Sequence, residues 1–216
     1  MKTYKQTVNN ILIRLREREV GSVDETSYSK LIGLFVHDAK EQVEAAWHWS
    51  QLRETLTVNT TADIFNYALT DFGDKSSVLE VINNTSNTFM SYQTAHWFNK
   101  AFLFAVPQTG SPVNFSYNGV NAAGDTQVDL YPVPNGVYQL YFNVIKRAHN
   151  LVNDDDMIKV PYLPVQTLAY AMALEERGED GGTSAIAAKA LAATQLSDAI
   201  ALDASKHPEE LIWEAS

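Results

Sequence analysis

The sequence predicts an α+β protein: an α-helical layer built from the N- and C-terminal helices, with a central antiparallel β-rich lobe. Three observations carry this. Residues 27–50 place Tyr28, Leu31, Ile32, Phe35, Ala39, Val43, Ala46 and Trp47 along one face at spacings of three and four, the period of a helix. In "VYQLYFNVI", Tyr138, Leu140, Phe142 and Val144 alternate with Gln139, Tyr141 and Asn143, the pattern of a half-buried antiparallel strand. Helical texture then returns in the alanine-rich stretch that runs to about residue 204. The expected organisation is a helical domain from residues 1–51 and 157–203, an inserted β-rich lobe at 52–156, and a C-terminal extension at 204–216.

The opening segment places Val8, Ile11, Leu12 and Leu15 on a narrow apolar stripe of an amphipathic helix. "EVGSVDETS" interrupts it and offers Asp24, Thr26 or Ser27 as the cap of the long second helix. Gly33 inside that helix suggests the close approach of another backbone, because an exposed glycine there costs about 1 kcal/mol against alanine. From residue 52 to 156 short β-favouring runs follow, "TLTVNT", "IFNYAL", "SVLEVIN", "NFSYNG" and "TQVDLY", separated by Gly, Pro, Asn and Asp. Residues 88–106 are ambiguous: Phe89, Tyr92 and His96 permit a short helix, and "KAFLFAV" reads as a strand. Residues 107–125 have the composition of a loop or an exposed hairpin, an element suited to carrying contacts. Residues 163–177 form a helix with Pro164 in its first turn, stopped by "GEDGG". Thr183 or Ser184 caps the last one.

The stretch "VEAAWHWSQLRETLTV" sets Trp47 and Trp49 where the second helix gives way to the first strand. They read as a structural corner: Trp47 continues the helical stripe and Trp49 closes the core where the strand turns back. The tail "SKHPEELIWEAS" carries Leu211, Ile212 and Trp213 beyond Pro208. Either it folds onto its own domain or it is an anchor for a partner, a role in which tryptophan is favoured.

Sixteen Lys and Arg against 26 Asp and Glu give a net charge of -10, which opposes binding to nucleic acid through phosphate neutralisation. There is no cysteine, hence no disulfide and no thiolate metal site. The N-terminus lacks the pattern of a signal peptide, and no segment reads as a membrane span of about 20 apolar residues. His37, His48, His96, His149 and His207 are not spaced as paired ligands, and Asp154, Asp155 and Asp156 lack the ligand ladder of a calcium loop, so the expectation is no metal site. Nucleophile-elbow, phosphate-loop, dinucleotide and zinc-protease motifs are missing, so no catalytic residue and no cofactor are assigned.

In this order of features the chain resembles the head-to-tail adaptor (connector) proteins of tailed bacteriophages, most closely those of short-tailed phages, also called tail tubular protein A. The likeness rests on "AAWHWSQLRETLTV", on "YALTDF", and on "VYQLYFNVI", "NDDD" and "VPYLPVQTLAYAMALEERG"; it spans roughly residues 8–202. Thr70 stands where family members often carry proline. The resemblance implies a structural virion protein and not an enzyme. It would be made in the host bacterial cytoplasm, form a ring of about twelve copies in the neck, bind the portal protein on one side and the tail nozzle on the other, and let DNA pass without specific binding. By the same resemblance residues 204–216 are the portal-binding tail, mobile in the free protein, with Leu211, Ile212 and Trp213 as its anchors. The alternative reading is a capsid-decorating or tail-fibre-linking protein, and behind it a cell-wall glycan hydrolase.

Overall fold

Two compact units share the chain: Met1–Leu52 together with the chain from Ala148 onward, and Arg53–Arg147. The structure is a computed structural model and describes residues 1–70, 72, 76–104, 106–178 and 182–206. In chain order its first elements are α1 (Tyr4–Arg14), α2 (Ser27–Ala46), β1 (Arg53–Asn59), β2 (Asn66–Leu69), β3 (Ser77–Asn83), β4 (Thr88–Tyr92) and α3 (Ala95–Leu103). They are followed by β5 (Thr109–Gly110), β6 (Asn114–Val120), β7 (Thr126–Tyr131), β8 (Val133–Pro134), β9 (Gln139–Ile145), α4 (Tyr162–Arg177) and α5 (Thr183–Ala204). The fold is α+β.

In the helical unit, α4 packs on both α2 and α5, and α1 lies against α2 and α4. Local chemistry sets the helix starts. Thr3 with Gln6, and Thr26 with Ser29, form reciprocal caps that satisfy otherwise orphaned backbone N–H groups. The α5 helix differs from expectation: its cap is Gly182 in the left-handed region, φ 87, and Thr183 is its first helical residue. Gly178, φ 63, ends α4 as a left-handed cap whose N–H reaches Leu174 O. Val8, Ile11, Ile32, Val36, Val165 and Ala169 are among the fully buried side chains of this layer.

Gly33 does mark a close approach, but of side chains and not of a backbone. A Cβ there would fall on the Tyr4 hydroxyl and 2.9 Å from Val23 Cγ1. Gly33→Ala gains about 1 kcal/mol of helix propensity and incurs about 1–3 kcal/mol of overpacking. The expected result is a net loss of stability in chemical denaturation, partly recovered by adding Tyr4→Phe, which removes the nearest atom.

The other unit is a seven-stranded sheet in the order β1-β9-β3-β4-β6-β7-β2, antiparallel throughout except where β4 meets β6. β9, second in that order, is paired on both sides, Phe142 with Leu56 of β1 and with Val81 of β3. Its Leu140, Phe142 and Val144 are fully buried in a core shared with Leu69, Val128 and Leu130. The outermost strands, β1 and β2, also come near each other, so the sheet curls. β5 and β8 form a separate two-stranded parallel pair. Residues 88–106 reverse the expected order: the strand β4 comes first, paired through Met90 to Val81, and the helix α3 follows, capped by Thr94 Oγ1. Of the loop or hairpin expected at 107–125, the structure forms the hairpin: β6 pairs antiparallel with β7, with a register shift between Tyr117 and Val120.

Candidate assembly surfaces

The corner after α2 is built differently from its sequence pattern. The helix ends at Ala46, four residues earlier than the stripe suggests, and Trp47 is a half-buried cap residue in extended conformation, φ -153 and ψ 157. Trp47 therefore does not continue the helical stripe. Trp49 is 1% exposed, and its indole Nε1–H donates to Val43 O at 2.7 Å. That carbonyl lies in the last turn, where α2 has no further N–H to offer it, so the ring both fills the core and satisfies the helix end.

One residue further, Ser50 donates through its backbone N–H to Asp203 Oδ2 at 2.9 Å and through Oγ to Asp203 Oδ1 at 2.6 Å. Lys206 Nζ reaches the same carboxylate at 3.0 Å. Asp203 thus ties the C-terminal end of α5 to the turn at Ser50–Leu52. Burial pushes its carboxyl up, but the hydrogen bonds from Ser50 and the charge of Lys206 outweigh burial and hold it below the usual carboxylate value. A carboxyl depressed in the folded state stabilises the fold fully above its unfolded pKa of about 3.9. That contribution is lost as pH falls through the folded value. Asp203→Asn should lower stability by about 1–3 kcal/mol at neutral pH. Urea titrations should show the gap closing on acidification below about pH 4.

A groove of about 410 Å³ opens beside this tie. Trp49, Val160, Leu163 and Leu202 supply apolar wall, and Gln195 and Asp198 supply polar points. Leu163 and Leu202 are both exposed. Gln195 Oε1 is buried without a hydrogen-bond partner among the described residues, an acceptor left open. Leu211, Ile212 and Trp213 lie outside the described residues; Lys206, at the rim of the groove, is the last described residue of the chain.

The α5 helix corrects the expectation that no segment is apolar enough to span a membrane. Its 22 residues reach a mean hydropathy of 1.2 over an 18-residue window, of which 17% is buried. Its Ala185, Ala188 and Ala192 are buried in the helical unit, and its Asp203 is engaged by Ser50, which are contacts of a packed protein helix.

The acidic run turns out to be a clasp. Asp154 Oδ1 accepts from Val23 N–H at 2.9 Å, and Asp156 Oδ2 accepts from the backbone of Val152 and Asn153, each at 2.7 Å. The Asn153 and Val152 N–H groups hold the Asp156 carboxyl below its ordinary value. The carbonyls of Asp154 and Asp156 also accept from Lys5 and Tyr4, so this turn fixes the start of α1. Among the described residues no group of three His, Asp or Glu is placed to hold a metal ion.

In the sheet unit, Phe65, Trp97, Phe98, Phe102 and Tyr131 form an aromatic cluster with ring centroids 4.7–6.5 Å apart. Beside it Leu103, Phe104 and Val106 are left exposed, Phe104 at 83%. Exposed apolar side chains grouped in this way are suited to contact with another protein. Sequence reasoning found the block but not its exposure, which depends on α3 ending where it does.

Residues 2–210 match the family described as SU10 adaptor protein, and the chain belongs to that family, a phage adaptor family of structural proteins. Membership implies interaction with portal and tail proteins and a place in the virion neck. No curated protein matches the chain.

Proposed function

We propose that the protein is the head-to-tail adaptor of a short-tailed phage, forming a ring of about twelve copies between portal and tail nozzle and continuing the DNA channel. The observation that carries this is the family match along residues 2–210, nearly the whole chain. The net charge of -10 supports it physically, since an acidic conduit lets a polyanion slide where a basic one would hold it. The helical segments at residues 1–51 and 157–203 form the ring. The lobe at 52–156 faces the nozzle, where exposed Leu103 and Phe104 suit a protein contact. Residues 204–216 bind the portal through Leu211, Ile212 and Trp213. Trp47 and Trp49 fix the corner through which the chain leaves the helical segment. The protein is made in the host cytoplasm and ends in the virion.

The test is co-sedimentation with portal rings from the same genome, beside a variant lacking residues 207–216, which leaves α5 whole. Ring-sized comigration of the full chain and its loss in the deletion are expected. A full chain that stays in the supernatant under assembly conditions overturns the adaptor role. A deletion that still comigrates overturns the tail as anchor.

A further inference from the structure

The groove between Trp49, the start of α4 and the end of α5 has features of a binding site and no occupant among the described residues. Its size falls within the range of pockets that enclose small ligands or side-chain clusters. Its walls are mostly apolar.

We infer that this groove is the seat of the chain's own residues 207–216 in the free protein, with Leu211, Ile212 and Trp213 filling it. The inference rests on the reading of that segment as the portal anchor and adds how the anchor is held before assembly. Three observations select this occupant. The segment begins at the groove, since Lys206 is itself part of the lining. It is also long enough: Gln195 and Lys206 lie eleven residues apart on α5 and its cap, about 16 Å at the helical rise. Residues 207–213, extended, cover about 23 Å, so Trp213 can run back beside Gln195. The chemistry matches too, because Leu211, Ile212 and Trp213 are apolar and so is most of the groove's wall.

A seated tail replaces the sequence-based expectation of a mobile one. Its anchors are covered in the free chain, and portal binding must compete them out of the groove. Free copies are thereby kept from joining one another through exposed tryptophans before a portal is present.

The chain has no cysteine, so introduced thiols report on this directly. Leu163→Cys with Ile212→Cys places one thiol in the groove and one in the tail; Leu34→Cys with Ile212→Cys is the control, Leu34 being exposed on α2. Under mild oxidant and dilution, the groove pair should form an intramolecular disulfide at least tenfold faster than the control. Leu202→Asp, a charge on an exposed groove residue, should slow it at least fivefold. Equal rates for the two pairs overturn the seat. A rate unaffected by Leu202→Asp shows mere tethering and also overturns it, and disulfide-linked dimers assign the groove to a neighbouring copy's tail instead. Portal co-sedimentation of the oxidised and reduced groove pair separates the two readings. A fast bond whose closing leaves portal binding unchanged keeps the seat and removes the portal anchor.

Discussion

Trp49→Ala is expected to destabilise the helical unit by about 3–5 kcal/mol, the range for truncating a fully buried tryptophan. Trp47→Ala should cost no more than about 1.5 kcal/mol, because its ring is only half-buried and less apolar area is lost. Two losses add at Trp49. The cavity left by the indole is one; the Val43 carbonyl, deprived of its donor at the helix end, is the other. Trp49→Phe separates them, since it retains most of the volume and none of the hydrogen bond, and should fall between wild type and Trp49→Ala. Urea unfolding followed by far-UV circular dichroism measures all three. Equal costs at positions 47 and 49 would mean that the corner is not packed as described.

The two tryptophans also show what a sequence can and cannot disclose. Their presence at a helix-to-strand corner was legible, because the three-four spacing stops there and alternation begins. Which of them enters the core was not, since it depends on the helix ending at Ala46 and on an indole turning back to a carbonyl six residues earlier. The β9 alternation was readable because one face of the strand is buried and the other is not. At residues 88–106 the same logic misled. Phe89, Tyr92 and His96 have helical spacing, yet β4 is held by pairing to β3 and by a hydrogen bond from Ser91 N–H to Val113 O. Thr94 then caps a helix through residues that, taken as an apolar run, looked like a strand. The groove was the least legible feature. It joins Trp49, Leu163 and Leu202 across more than 150 residues of sequence, and the Asp203 tie to Ser50 leaves no local signature.

Lys40→Met is expected to be as damaging as any core truncation, about 3–5 kcal/mol, although it replaces a charge with an apolar side chain of similar length. Lys40 and Glu44 stand one turn apart on α2, a spacing visible in the sequence and ordinarily a solvated pair worth a few tenths of a kcal/mol. Here both side chains are 1% exposed. The ammonium lies 3.1 Å from Glu44 Oε1 and donates to Ala148 O at 3.2 Å, where the chain re-enters the helical unit. Removing it withdraws the cation from a buried carboxylate and a donor from the part-buried Ala148 carbonyl. The double variant Lys40→Met/Glu44→Leu should recover most of the loss, to within about 1 kcal/mol of wild type or better, because an apolar pair needs no desolvation of charge. The two variants together decide what the pair contributes. A large single cost with recovery in the double means that the damage comes from the Glu44 charge left buried and that the pair adds little net stability. A double variant as unstable as the single one would make the Lys40 bond to Ala148 O the part that matters. That outcome would identify this residue as the fastening of the returning chain to the helices.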